Sequence, residues 1–413
     1  MDRKFLKQAA TTDSPHWDIL SARQNELYSR SDDVRSPFAR DYTRILHSMA
    51  YRRLKHKTQV FFNINNDHIC TRMEHVSHVE SVSSTIAKTL GLNEELTKAI
   101  SIGHDLGHAP FGHGGETIIN DIAKSNGLDS FWHERNSLHF IDNIETLEDD
   151  EHVRHNLNLT YAVRDGIISH CGEMQQMKIK KRDQAIDLND YLTPGQYNPF
   201  TWEGCVVKVA DKIAYLARDI EDALRLKVLK ENKVEVLRMS LNQLSEDYQF
   251  NAINNGTIVN YFIQDVCKNS NPDDGIALSK TAFEIMKTIM KFNYQNIYKI
   301  DRVKIHSDYV SLMLHSIFDF YYKYDLIAKD SNTNLINELL KDKEQFPNTI
   351  NGFVHWLEKY SNMKYFKRNE IYQNKVIYDF INDDQAMIKS IIDYLSGMSD
   401  AYIIQIFNEL IAF

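Results

Sequence analysis

Residues Met73–Glu116 read MEHVSHVESVSSTIAKTLGLNEELTKAISIGHDLGHAPFGHGGE, and their periodicity decides the fold class. The apolar residues Met73, Val76, Val79, Val82, Ile86 and Leu90 step by threes and fours, which marks one face of a helix ending near Gly91. His75 falls in its first turns, beside that stripe. Asn93 followed by Glu94 and Glu95 is an N-cap with acids in the first turn, and Leu96, Ala99, Ile100 and Leu106 carry a second helix toward Gly107. His104 and Asp105 therefore lie at a helix end. The Gly107–Gly115 stretch, broken by Pro110, is expected to be a tight loop, with Glu116 opening the next helix.

Composition points the same way. Fifteen Gly and seven Pro in 413 residues fall well below average usage of roughly 7% and 5%, which disfavours turn-rich β architectures. An all-α chain is expected, long enough to bury a large core. Cys70, Cys171, Cys205 and Cys267 are widely separated and form no CxxC pair, so neither a zinc knuckle nor a disulfide framework is indicated, and a reducing cytoplasm fits. No run of apolar residues is long enough for a membrane span, and the polar start lacks a signal-peptide core.

The net charge of −9 excludes a uniformly basic nucleic-acid binder but conceals a local patch. Between Arg35 and Lys57 lie Arg35, Arg40, Arg44, Arg52, Arg53, Lys55 and Lys57 against the single acid Asp41. Such a run suits phosphate oxygens, and it equally suits a solvated helix face.

Outward from the opening stretch, residues 1–34 read as a polar N-terminal arm, 35–230 as the helical core, and 231–413 as an extended C-terminal helical lobe packed on it. Helices are expected over 131–144 and 159–169, separated by an acidic, polar insert. Residues 173–204 form a long polar connection of the kind that serves as a lid, an interface or a disordered segment. One helix is expected from Cys205 to Leu229, and breaks at Asn251–Gly256 and Asn269–Gly275 divide the remainder into further helices.

Thirteen of the seventeen histidines fall between His47 and His170, a clustering that suggests a shared site. His75, His104 and Asp105, on consecutive helices, are placed to converge on a metal. Asp211 is the best fourth candidate, because a carboxylate beside an apolar helical stripe is costly without a partner. Asp211, Tyr215 and Asp219 follow at i, i+4 and i+8, so one helical face of about 12 Å would reach from the metal to a sugar. A solvated acidic face is the alternative.

In sequence order, Arg35–Asp41 (RSPFARD), Arg52–Phe61 (RRLKHKTQVF), Thr71–His75 (TRMEH), Gly103–Glu116, Phe131–Glu134 (FWHE), Gly166–His170 (GIISH), Ala210–Tyr215 (ADKIAY) and Asp393–Asp400 (DYLSGMSD) resemble the HD-domain deoxynucleoside triphosphate triphosphohydrolases. That family includes the bacterial dGTPases and the vertebrate SAM- and HD-domain dNTPase. The resemblance spans nearly the whole chain. It implies His75, His104, Asp105 and Asp211 as ligands of a divalent metal, Mg, Mn or another first-row ion such as Fe, Co or Ni. It also implies Arg72, Lys212 and Tyr215 as triphosphate-binding residues, and Gln59 with Asp219 as the pair that reads the deoxyribose 3′-hydroxyl. His113 with Glu116 would be the acid/base dyad and His133 a second active-site histidine.

The implied reaction is hydrolysis of a dNTP, dGTP foremost, at the α-phosphate to give deoxynucleoside and tripolyphosphate. Implied partners are a dNTP activator, for which Arg40, Arg44, Arg52, Arg53 and Lys55 are candidate contacts unless they only brace helices, further copies of the chain in a tetramer or hexamer, and single-stranded nucleic acid as a secondary ligand. Val76, Asn136 and Ala401 depart from the family's usual serine, glutamine and arginine, which bears on base preference and subunit contacts. Rival readings are an HD phosphohydrolase of another nucleotide, such as a monophosphate phosphatase or phosphodiesterase, and a nucleotide-sensing or single-strand-binding protein with a vestigial metal site.

Overall fold

The computed structural model describes residues 3–25, 33–62, 66–172, 176–331, 333–363, 365–366 and 371–412. Among them are eighteen α-helices and only two small two-stranded sheets, so the chain is all-α as expected. It forms two compact units, each drawn from three stretches of sequence. The first comprises Met1–Leu46, Asn66–Asp105 and Asn158–Lys304; the second comprises His47–Asn65, Leu106–Leu157 and Ile305–Phe413. The units are thus interleaved along the chain, whereas the sequence reading divides it once, at residues 230/231, after an arm ending at residue 34.

The first unit is organised around helix Arg72–Leu90. Its start is a reciprocal cap: the Thr71 hydroxyl accepts from the Glu74 amide, and the Glu74 carboxylate accepts from the Thr71 amide at 2.8 Å. Its stop is Gly91, at a φ of +84° that few residues other than glycine adopt readily. Val76, Val79, Val82, Ile86 and Leu90 are buried as the stripe requires, and the helix packs against Glu94–Gly103, Trp202–Leu216 and Asn255–Asn269.

Helix Glu94–Gly103 begins on the Asn93 side chain, which accepts from the Glu95 and Leu96 amides. It ends at Gly103, three residues before the last apolar position assigned to it, so His104 and Asp105 sit just past its final turn. A reciprocal pair of glycines lets it approach helix Tyr161–Ser169 closely. A Cβ on Gly103 would lie 2.5 Å from Ile167 Cδ1, and one on Gly166 would lie 2.4 Å from Ile100 Cδ1.

The helix expected over 205–229 is two helices, Trp202–Leu216 and Arg218–Arg225. The Asn293 side-chain amide donates to the Leu216 carbonyl at 2.9 Å, occupying an acceptor that a continuous helix would use for its own backbone. Asp219 therefore belongs to a separate helix from Asp211 and Tyr215.

The described part of the N-terminal segment is built into this unit. Phe5, Ala9, Ala10 and Leu20 are buried, and the buried Glu203 carboxylate accepts from both the Ala10 and Asn93 amides at 2.9 Å. Residues 1, 2 and 26–32 of the expected arm lie outside the described residues. So do residues 173–175 of the polar connection; within the rest of it, Arg182 pairs with Asp165 and Tyr191 is 1% exposed.

The second unit has its core where helices Gly112–Ser125, Pro347–Tyr360, Ala386–Gly397 and Asp400–Ile411 meet the greater part of Asp301–Asp330. Ile119, Leu314, Tyr321, Phe353, Ile391 and Ile406 pack together there. The polar insert after Ile144 forms an antiparallel pair, Thr146–Glu148 with Arg154–Asn156, in which Leu147 faces His155. Two members of the basic run brace this unit: Arg53 pairs with Glu145 at 2.7 Å, and the buried Lys57 ammonium donates to the carbonyls of His108 and, at 2.9 Å, Ser396. Arg40, which pairs with Asp33, and the buried Arg44 belong to the first unit. No helix among the described residues is long and apolar enough to cross a membrane.

Candidate metal centre and histidine cluster

Within the first unit, three helices bring His75, His104 and Asp211 together. His75 comes from the opening turn of Arg72–Leu90, His104 from the end of Glu94–Gly103, and Asp211 from the middle of Trp202–Leu216. His75 Nε2 lies 3.1 Å from Asp211 Oδ1, and His104 Nε2 lies 3.8 Å from the same oxygen. One ligand atom from each of the three lies within 4.8 Å of the others, and all three residues are buried. Asp105 shares the same spacing with His104 and His170, and its Oδ1 is 3.6 Å from His104 Nε2.

The His104 ring is oriented by its other nitrogen. Nδ1 lies 2.7 Å from the Ser101 carbonyl, an acceptor only, so Nδ1 carries the proton and Nε2 presents a lone pair toward the carboxylates. His170 repeats the arrangement, with Nδ1 2.5 Å from the Ile167 carbonyl. Burial pushes the His104 imidazolium below its ordinary range, which favours the neutral, ligating form. Burial works the opposite way on Asp211, yet the neighbouring Lys212, His75 and His104 outweigh it and hold its carboxyl well below the usual range. A buried set of imidazoles and carboxylates is the donor chemistry of a divalent first-row metal site.

The cations expected to bind phosphate border this centre. Arg72 is 4% exposed and donates to Asp105 Oδ2 at 2.8 Å. A guanidinium has five N–H donors, so this pairing is compatible with a phosphate contact. Lys212 donates to Asp211 Oδ2 at 3.1 Å, and its ammonium lies 5.9 Å from the Tyr215 ring centre. Asp219 is buried and accepts from the Tyr298 hydroxyl; burial raises its pKa to about 7. Gln59, its expected companion at the sugar, belongs to the second unit and is partly buried.

His113, Glu116 and His133 come together in the second unit. Glu116 is shared: its Oε2 lies 3.2 Å from His113 Nδ1, both its oxygens lie 3.1 Å from His133 Nδ1, and Oε1 accepts from the His133 amide at 2.9 Å. His108 joins them, its ring stacked on His133 at 4.5 Å. Burial opposes ionisation of Glu116, but the His133 and His113 rings prevail and its pKa is strongly lowered. The three differ in access: the side chain of His113 is 78% exposed and that of His133 only 14%.

The loop that supplies this cluster is fixed from several directions. Phe111 takes a left-handed φ of 62°, and its amide donates to Asp400 Oδ1 at 2.8 Å. The Thr58 amide donates to the other Asp400 oxygen at 2.9 Å. Asn136 donates to the Gly107 carbonyl at 2.7 Å and to Ser396 Oγ at 3.2 Å.

Sequence reasoning gave no role to His108, His170 or Tyr298. His108 and His170 both lie inside the quoted motifs, so the signal was present. Tyr298 carries none, because it reaches Asp219 from 79 residues away.

This arrangement of helices and buried His/Asp donors is that of an HD domain, and an HD domain family profile matches residues 72–216. The chain belongs to the deoxyguanosinetriphosphate triphosphohydrolase-like family of HD-domain hydrolases. It is 36% identical to a deoxyguanosinetriphosphate triphosphohydrolase-like protein of Caldanaerobacter subterraneus subsp. tengcongensis over 72% of this chain and 75% of that one. A protein of the same description from Desulfatibacillum aliphaticivorans is 38% identical over 70% and 74%. The corresponding Clostridium tetani protein is 31% identical over 93% and 88%.

Proposed function

We propose that the chain is a metal-dependent deoxynucleoside triphosphate triphosphohydrolase, with dGTP its leading substrate, cleaving at the α-phosphate to release deoxynucleoside and tripolyphosphate. The observation that carries this reading is the buried convergence of His75, His104 and Asp211, with Asp105 beside them and Arg72 held on Asp105. His75, His104, Asp105 and Asp211 would hold the metal. A divalent cation bound there, Mg, Mn or another first-row ion, supplies Lewis acidity toward a phosphate oxygen and a lowered pKa for water.

The protein's own groups do the rest. Arg72 and Lys212 offset the negative charge of the triphosphate as it develops in cleavage, and Tyr215 contributes a hydroxyl to the same chain of oxygens. Gln59 and Asp219 read the sugar hydroxyl. Glu116 fixes the Nδ1 edges of His113 and His133, and these imidazoles move the proton of the reaction, a task suited to a side chain with an ordinary pKa near 6.5. The family reading extends to a cytoplasmic homo-oligomer, tetramer or hexamer, and to a dNTP activator bound by residues such as Arg52 and Lys55; single-stranded nucleic acid is a secondary ligand under the same reading.

The test is a hydrolysis panel of the four dNTPs, singly and in mixtures, with Mg and with Mn, resolving every product. Tripolyphosphate with free deoxynucleoside is the expected outcome. Orthophosphate or pyrophosphate as the primary product overturns the reading in favour of another HD phosphohydrolase.

A further inference from the structure

Helix His133–His139 has a cavity of about 300 Å³ against it, entirely within the second unit. Phe131 and Trp132 from the turn before the helix, Arg135 and His139 from the helix, and Lys389 and Asp393 from Ala386–Gly397 line it. Its volume stands at the small end of ligand pockets, roughly 300–1,000 Å³, enough for one ring system and one compact charged group. Its apolar wall combines Leu128, Ile377 and Ile392 with the rings of Phe131 and Trp132; Trp132 is 5% exposed, and the Arg135 guanidinium lies 5.2 Å from its ring centre. A guanidinium laid on an indole gives a flat, cationic platform with in-plane donors.

Arg135, Lys389 and His139 line the cavity together with the carboxylates of Asp129 and Asp393, and it is the way these groups are paired that favours an anion. His139 and Asp393 satisfy one another at 2.9 Å, and the Tyr378 hydroxyl donates to the same Asp393 oxygen at 2.8 Å, so that pair is settled within the wall. Arg135 and Lys389 are held differently. Arg135 has Asp129 at 3.6 Å, whose side chain is 85% exposed, and Lys389 pairs with Asp383 across a solvated surface at 2.8 Å. Exposed pairs of this kind are worth little, so a ligand anion can replace the carboxylate partners at low cost. Trp132 also brings a buried indole N–H with no acceptor among the described residues.

We infer that this cavity is a binding site for a small planar ring bearing a single anionic group, a carboxylate or a monophosphate, with Arg135 and Lys389 as the anion-holding residues. Arg135 and His139 stand on the helix whose first residue is His133, so an occupant would bear on the element that positions that ring against Glu116.

Calorimetric titration of the full chain with indole-3-carboxylate and with deoxyguanosine monophosphate tests this, with neutral indole and inorganic phosphate as the ring-only and anion-only controls. Saturable binding of one equivalent of indole-3-carboxylate or of deoxyguanosine monophosphate is expected, at least about tenfold tighter than either control. The same probe should bind at least about tenfold more weakly to the Arg135→Ala, Lys389→Ala double variant, whose altered side chains are both at the surface. Which probe binds separates a carboxylate site from a phosphate site. Absence of saturable binding by both probes at millimolar concentration overturns the inference, and so does affinity unchanged in the double variant, which would place the probe elsewhere.

Discussion

His104 donates from Nδ1 to the Ser101 carbonyl at 2.7 Å, and this backbone bond leaves Nε2 as the lone-pair nitrogen facing Asp211. Tautomer and ring orientation follow from one turn of the helix that ends beside it. The orientation of this ring is thus written into local secondary structure, whereas the carboxylate it meets arrives from more than a hundred residues downstream.

Replacing Asp211 by Ala should leave the helical fold in place and cut metal affinity by well over the 10–100-fold typical of supporting residues around a metal. Turnover should vanish with it. Metal content after dialysis, circular dichroism and dNTP hydrolysis decide the matter together, and full activity in this variant removes Asp211 from the ligand set.

Glu116→Gln should preserve metal bound at His75, His104 and Asp211, which lie in the first unit, yet lower kcat by about 10²–10⁴-fold, the range for a positioned acid/base group. Sensitivity to acid should fall as well. The folded-state pKa of Glu116 is lowered, so its ionisation stabilises the native state above its ordinary pKa and that contribution is lost as pH falls below it. Denaturant midpoints on the acid side should therefore change less steeply in the variant.

For His139 the sign is reversed. Burial opposes its protonation, but the charge and hydrogen bond of Asp393 prevail and the folded-state pKa is raised; Asp142 adds to the effect and Arg135 opposes it, while Asn143 contacts Nδ1 at 3.0 Å. Its stabilising contribution is complete below the ordinary histidine pKa and disappears as pH rises through the raised value. The stability advantage of the native chain over Asp393→Asn should be greatest in mild acid and shrink across neutral pH. An advantage that does not vary with pH would contradict a charged His139–Asp393 pair.

Ribonucleotides should be poor substrates. The proposed reading assigns recognition of one sugar hydroxyl to Gln59 and Asp219, and recognition of that kind leaves little tolerance for a second polar group on the sugar. Initial rates with GTP and dGTP measure this, and equal rates would take the sugar-reading role away from both residues.

The parts of this structure legible in the sequence are those governed by neighbours in the chain. Gly91 and Asn93 announce where the helix carrying His75 ends and the helix leading to His104 begins, and both are used as expected, whereas the equally local Thr71–Glu74 cap is a finding of the structure. Two successive motifs, Gly103–Glu116 and Phe131–Glu134, likewise supply His113, Glu116 and His133, which come together in the fold. What escaped is set by distant residues. The break after Leu216 depends on Asn293, the burial of the N-terminal segment depends on Glu203 taking the Ala10 amide, and the Asp219 environment depends on Tyr298. No periodicity in residues 205–229 signals that a side chain from another helix will take one carbonyl.

The interleaving of the two units imposes an order on biosynthesis. Every residue of the first unit has been polymerised once Lys304 is added, so His75, His104, Asp105 and Asp211 have their full set of supporting helices while the ribosome is still elongating. His113, Glu116 and His133 are translated early but must wait for residues 305–412, whose helices make the core beneath them. On the proposed reading, synthesis therefore completes the set of residues that would hold the metal before it completes the core beneath those that would move the proton.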